Sequence, residues 1–269
     1  MKKGSITFIG LGLYDKKDLS VKGLEYIKKS SKVFAEFYTA KLMGSDIEEI
    51  QDFIGKKFTV LDRKQTEKAD IILDAAENSD VSFLTAGDPM TATTHIDLRI
   101  RAEKKSIKTN VIHAASIATA VPGLLGLQNY KFGRTTTLAY PEGDYFPTSP
   151  YDVIKSNRKM GLHTLILLDI QADKNRFMTA EEALDFLLKM EDIKKEGLVK
   201  KDSIVCVVAR AGSEKVFVVA DTIERLLKMD FGAPLHSLVF PGSLHFMEIE
   251  ALETLAQLPA QQGRKLQKL

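Results

Sequence analysis

Ser5-Ile6-Thr7-Phe8-Ile9-Gly10-Leu11-Gly12-Leu13-Tyr14-Asp15 sets a short apolar, β-branched run directly before two closely spaced glycines. Such a run reads as a buried strand, and the glycines after it allow the chain to turn tightly or a ligand to approach the backbone. Ser20 then stands where a helix N-cap belongs, ahead of Val21, Leu24 and Ile27 at three-residue spacing. Lys32 to Phe37 predicts the next strand and Val81 to Thr85 another, followed by a Gly-Asp-Pro turn at 87 to 89. A helix after that turn is expected to bury Ala92, Ile96 and Ile100, and Lys108 to His113 predicts a further strand. Strands alternating with helices are the signature of βαβ units around a largely parallel sheet.

A second series follows Ser116, with strands predicted at Arg134 to Tyr140, His163 to Asp169, Ser203 to Arg210, Lys215 to Val219 and His236 to Phe240. Ser149-Pro150 and the capping box Thr179-Ala180-Glu181-Glu182 mark helix starts. Val216 to Val219 follows Arg210 too soon for a parallel crossover, which needs about a dozen residues, so this sheet must be mixed. The fold class is therefore α/β in two domains, 1–114 and 115–258, with a frayed polar tail at 259–269.

Composition sets limits on function. The chain has 269 residues, and 38 basic against 36 acidic side chains give a formal charge of +2, so no overall field steers it to nucleic acid or an anionic membrane. Its single cysteine, Cys206, lies inside an apolar strand and excludes any intrachain disulfide. No apolar run approaches the ~18 residues of a membrane span, and the expected compartment is the cytoplasm. No two of the histidines His95, His113, His163, His236 and His245 have a metal-ligand i, i+4 spacing, so no metal is expected. A P-loop and a nucleophile elbow are absent from the sequence.

Three junctions offer chemistry. The glycine loop at 10 to 15 lacks the third glycine of a dinucleotide fingerprint, where Asp15 stands, although Glu36 lies about where a ribose acceptor would be. Asp88 in Gly87-Asp88-Pro89 puts a carboxylate at a strand's carboxyl end, able to accept from ribose hydroxyls or an ammonium, or simply to cap a turn. His113-Ala114-Ala115-Ser116-Ile117 exposes backbone to an adenine edge or merely starts a helix. Asp169, and Ala209-Arg210-Ala211-Gly212, end strands in the second half.

Taken in order, Gly10 to Asp15, Phe34 to Thr39, Gly87-Asp88-Pro89, Ala92 to His95, His113 to Ile117, Tyr130 to Gly133, Phe146 to Ser149, Gly161 to Leu165, Leu167 to Ile170 and Ala209 to Ser213 resemble the diphthine synthases, in the archaeal form. The resemblance covers nearly all of the chain except the tail. It implies a tetrapyrrole methylase-like, class III methyltransferase fold whose two α/β domains, the first sheet largely parallel and the second mixed, hold S-adenosylmethionine between them. Donor contacts are implied at Leu13, Asp88, Thr91, Ser116, Ile117, Leu168, Ala211 and His236. The implied reaction methylates the aminocarboxypropyl-modified histidine of translation elongation factor 2 and releases S-adenosylhomocysteine, in a homodimer with no nucleic-acid or membrane partner. Leu13-Tyr14 stands where relatives acting on porphyrin-like rings usually have Pro-Gly, and Ala86, Ala115 and Thr91 depart from the family's usual residues. The sequence names no general base, with His163 and Asp169 as candidates. A same-fold enzyme acting on a tetrapyrrole, corrin or RNA, or a dinucleotide-binding module, are the alternatives.

Overall fold

The computed structural model describes residues 4–38, 40–143 and 145–266, and divides the chain into two compact units. The first comprises Met1–Ile117 together with Ile170–Arg176, and the second Ala118–Asp169 with Phe177–Leu269.

In the first unit the order is β1 (Ser5–Gly10), α1 (Val21–Lys29), β2 (Lys32–Glu36), α2 (Ile47–Ile54), β3 (Thr59–Leu61), α3 (Arg63–Lys68), α4 (Asp70–Ala76), β4 (Asp80–Thr85), α5 (His95–Lys104) and β5 (Lys108–Ile112). The strands form one sheet in the order β3-β2-β4-β1-β5, parallel throughout. Side chains alternate across it: Phe8, Phe34 and Phe83 pack with Leu73 and Leu98 on one face, while Ile9, Ala35 and Leu84 pack with Ile27 and Ile50 on the other. Burial of both faces explains why these strands read as continuous apolar runs. Ser20 caps α1 as expected, its Oγ accepting from Gly23 N–H at 3.0 Å.

The helix after the Gly-Asp-Pro turn differs from expectation. It starts at His95, so Ala92 precedes it, at φ 56°, and Ile96 and Ile100 face outward at 53% and 46% exposure. The buried stripe is His95, Leu98 and Ala102, one residue out of phase with the expected one. A histidine leading the inward face disguises the apolar period.

The second unit contains α6 (Ile117–Leu125, its first residue counted with the first unit), β6 (Thr136–Leu138), α7 (Ser149–Lys159), β7 (Thr164–Leu168), α8 (Ala180–Lys194), β10 (Ile204–Ala209), β11 (Phe217–Thr222), α9 (Ile223–Leu226), β12 (His236–Phe240), α10 (Phe246–Leu255) and α11 (Ala260–Gly263), while the ribbon β8 (Ile170–Gln171) and β9 (Arg176–Phe177) between β7 and α8 falls to the first unit except for Phe177. Its main sheet has the order β11-β10-β12-β7-β6. Only β6–β7 is parallel; the β10–β11 hairpin and the other pairs are antiparallel, the mixture that the short 210–217 connection demands. β6 is shorter than expected and β11 begins two residues later. Cys206 is buried in β10, and burial pushes its thiol up to about 12. Thr179 forms the expected capping box with Glu182. Ser149, by contrast, is the first residue of α7 and Thr148 takes the cap position, so Pro150 falls at a first-turn position where its missing N–H leaves no gap.

Glu248, in the first turn of α10, is wholly buried and anchors this unit's loops. It accepts from His163 Nε2 (3.0 Å), Gln128 N–H (2.9 Å), His245 N–H (2.8 Å) and the Lys131 ammonium. Burial alone would raise its pKa, but these donors outweigh it and bring the carboxyl from 4.5 down to about 2. His163 Nδ1 accepts from Gly242 N–H at 3.0 Å, which fixes the Nε2–H tautomer. Glu248→Ala leaves Lys131 and the other donors without their acceptor and is expected to cost about 3–5 kcal/mol. A group depressed on folding gives stability above its unfolded value that is lost as pH falls towards the folded one. Urea denaturation from pH 6 downward should therefore show the wild type losing stability between 4.5 and about 2, with a shallower slope in Glu248→Gln.

Candidate functional site

The loops after β1, β4 and β5 meet at the carboxyl end of the first sheet, where open α/β sheets place ligands. Backbone contact requires their glycines. Gly12 and Gly87 form an isolated antiparallel bridge, with Gly87 N–H donating to Gly12 O at 2.7 Å, and both have positive φ (84° and 73°). A Cβ on Gly10 would lie 2.5 Å from Gly87 O and 2.6 Å from Ala114 Cβ, so all three loops converge on that point.

Asp88 organises the junction. Its Oδ1 accepts from Met90 N–H (2.9 Å) and Thr91 Oγ1 (3.3 Å), and its Oδ2 from His113 Nδ1 (2.7 Å) and Ala114 N–H (3.2 Å). Burial raises the carboxyl's pKa, but these bonds outweigh that effect and hold it below its ordinary value, as an ionised acceptor. Behind the loop, buried His95 uses Nδ1 to donate to Pro89 O at 3.0 Å, and its Nε2 lies 3.7 Å from Glu36 Oε1. The first unit thus brings Asp88 and Thr91 into direct contact, places Leu13 and Ser116 on the adjoining loops and has Ile117 as the first residue of α6. A Cβ on Gly87 would stand 4.0 Å from that of buried Ser116.

The glycine loop itself is occupied. Asp18 Oδ2 accepts from the successive N–H groups of Leu13 (3.0 Å), Tyr14 (2.7 Å) and Asp15 (3.4 Å). A run of N–H groups around one point is an anion-binding nest, and here the chain's own carboxylate fills it, so it holds no pyrophosphate. Glu36 is 0% exposed and accepts from Tyr38 N–H at 3.2 Å, which removes it as a ribose acceptor. Both findings count against the dinucleotide reading. Sequence reasoning missed Asp18's role, although Asp15-Lys16-Lys17-Asp18 carries a capping-box spacing and the structure closes that box.

In the second unit Leu168, Ala211 and His236 lie at neighbouring strand ends. His236 pairs with Ala209 across β10–β12 and stands one residue beyond the Ser237–Leu167 pair of β12–β7. Both its ring nitrogens are used internally: Nδ1 accepts from Ala180 N–H (3.1 Å) and Nε2 donates to Ala233 O (3.1 Å). Burial lowers its pKa, so the ring stays neutral. Any ligand contact therefore falls to its backbone or ring carbons. His163, fully buried with both nitrogens bonded, has no lone pair with which to act as a base, and Asp169 accepts from Tyr140 N–H at 3.1 Å. The aromatic loop at 140 to 147 mostly packs on its own unit. Tyr140 bonds Glu182 and Phe146 stacks edgewise on Phe186, leaving Tyr145 exposed, while Asp144 lies outside the described residues.

The family model for tetrapyrrole (corrin/porphyrin) methylases matches residues 5–227. A diphthine synthase of Methanococcus aeolicus is 53% identical over 253 residues, 94% of this chain and 98% of the relative. One from Methanocaldococcus jannaschii is 52% identical over 92% of this chain and 97% of its own. A crystal structure of a diphthine synthase superposes with a TM-score of 0.89 at 41% identity, covering 97% of this chain and 99% of the other.

The close approach of the three loops is testable through stability. Gly10→Ala must force them apart and should cost about 1–3 kcal/mol in urea denaturation. Gly123→Ala, in α6 with nothing within 4 Å of the added carbon, should be neutral or stabilising by about 0.5–1 kcal/mol. Equal effects would contradict the packing described for Gly10.

Proposed function

Because the chain belongs to the tetrapyrrole methylases, and within them to the diphthine synthases, we propose that it methylates the amino group of the aminocarboxypropyl-modified histidine of elongation factor 2. It is a methyltransferase of diphthamide biosynthesis, and its proposed donor is S-adenosylmethionine. The observation that carries the reading is identity near one half over almost the full length of both chains, in a protein whose conserved fold presents an ionised Asp88 where three strand-end loops meet.

The proposed donor contacts are Leu13, Asp88, Thr91, Ser116 and Ile117 in the first unit and Leu168, Ala211 and His236 in the second. The fit of Asp88 rests on lone-pair counting. An ionised carboxylate has about four acceptor sites, and Met90, Thr91, His113 and Ala114 fill them. A hydroxyl or ammonium of the donor must therefore replace one of these partners. The His113 side chain is 71% exposed and is the one with solvent to move into, whereas Met90 and Ala114 donate from the backbone. The bound donor supplies an electrophilic methyl on a sulfonium. The chain's residues have to align the acceptor amine, exclude water and receive the amine unprotonated, without a side-chain nucleophile. Cys206, raised and buried, supplies no thiolate, consistent with direct transfer. A homodimer in the cytoplasm completes the proposal; no described helix is long and apolar enough to cross a membrane.

Incubation with S-adenosylmethionine and precursor-bearing elongation factor 2 should add whole methyl groups by mass, and their number defines the product. Asp88→Ala should weaken S-adenosylhomocysteine binding by calorimetry at least about tenfold, a loss of about 1.4 kcal/mol. Unchanged affinity in that variant would take Asp88 out of the site.

A further inference from the structure

We propose that the outer edge of β5, with the groove beside it, docks an extended segment of the protein substrate bearing apolar and acidic side chains. This deepens the substrate reading above and rests on it.

β5 ends its sheet and pairs only with β1. Along a strand the peptide groups of alternate residues point to the same side. Thr109 N–H turns away from β1 and donates to Glu103 Oε1 at 3.0 Å. Thr109 Oγ1 donates to the same oxygen at 2.6 Å and accepts from Arg99 Nε at 3.1 Å. This clamp closes the first outward rung, in the way edge strands are blunted against indiscriminate pairing. Two residues on, the N–H and C=O of Val111 face the same way, and no described side chain is bonded to them. One outward rung is thus sealed and the next, beside the Asp88–His113 pair, is left open.

The open rung lies in a cavity of about 620 Å³ lined by Lys22 and Tyr26 of α1, Ile96 and Arg99 of α5, and Val111 and His113. Ile96 is 53% exposed, on the outward stripe of α5 that the sequence pattern suggested was core. The lining holds the cations Lys22 and Arg99 and no carboxylate of its own, with Glu103 of the clamp beside Arg99 and no described carboxylate bonded to Lys22. That charge selects the occupant. A second copy on a two-fold axis would face this lining with an identical one, which brings Lys22 and Arg99 and no carboxylate of its own to meet them. An acidic, apolar strand from another protein meets cations with carboxylates and Val111 with its own backbone, the β-augmentation mode of recognition. The strand direction leads such a segment to His113, where the proposed donor site begins.

The test uses the intact enzyme with precursor-bearing elongation factor 2. Lys22→Glu and Ile96→Glu alter exposed side chains, and Val111→Pro removes an outward N–H without breaking the β1–β5 ladder, as edge strands tolerate. Each should raise KM for the factor at least about tenfold, equivalent to about 1.4 kcal/mol. Each should leave kcat at saturating factor and the affinity for S-adenosylhomocysteine within about twofold, equivalent to roughly 0.4 kcal/mol. KM unchanged in both glutamate variants would overturn the docking surface. So would dissociation of a wild-type dimer in those variants, which would assign the face to a second copy. A wild-type enzyme that transfers no methyl to the factor would instead defeat the substrate reading, and this proposal with it.

Discussion

A carboxylate that folding takes almost wholly out of water must find donors, and Asp88 finds them on two different loops. Met90 and Thr91 come from its own turn; His113 and Ala114 come from the end of β5. The bonds therefore lock the β4 and β5 loops into one register. The β1 loop joins because glycines let its backbone pair directly with Gly87. A Cβ on Gly10 would hold the loops apart, and without the donors burial would raise the carboxyl's pKa. Geometry and charge at this junction are one constraint.

The second unit meets the same demand differently. Glu248 is as deeply buried, but it gathers a lysine, a histidine and two backbone groups that hold loops together and leave no open side. His163 and His236 likewise have both ring nitrogens committed. Perturbed titration is therefore shared by a structural carboxylate and a candidate binding one, and exposure separates them. The partner of Asp88 that can leave is 71% exposed, whereas the side-chain partners of Glu248, His163 and Lys131, are 0% and 20% exposed.

The strands β1, β4, β7, β10 and β12 were legible because each is an apolar run buried on both faces, bounded by turn residues. β3 was not read: it has three residues, of which Thr59 and Val60 are exposed. α5 was read out of phase because a histidine heads its inner stripe. Asp88 stood out because Gly-Asp-Pro falls between a strand and a helix. The roles of the histidines could not be read, because they depend on groups distant in sequence. His163 accepts from Gly242, 79 positions away, and His236 from Ala180, 56 positions away. Which nitrogen carries the proton is settled by folding, not by neighbours.

The exposed face of α5 is partly apolar. A surface helix ordinarily turns charge outward, and α5 does so at Asp97 and Arg101, yet it also presents Ile96 and Ile100. Single exposed apolar residues need no explanation. Ile96, however, lies beside an edge strand whose first rung is sealed by Glu103 and whose second is open, in a lining of two cations. Blunting one rung prevents indiscriminate pairing, while leaving the next open confines pairing to a short stretch at the Asp88 junction. One sealed rung beside one open rung fits an edge whose pairing is limited to that short stretch.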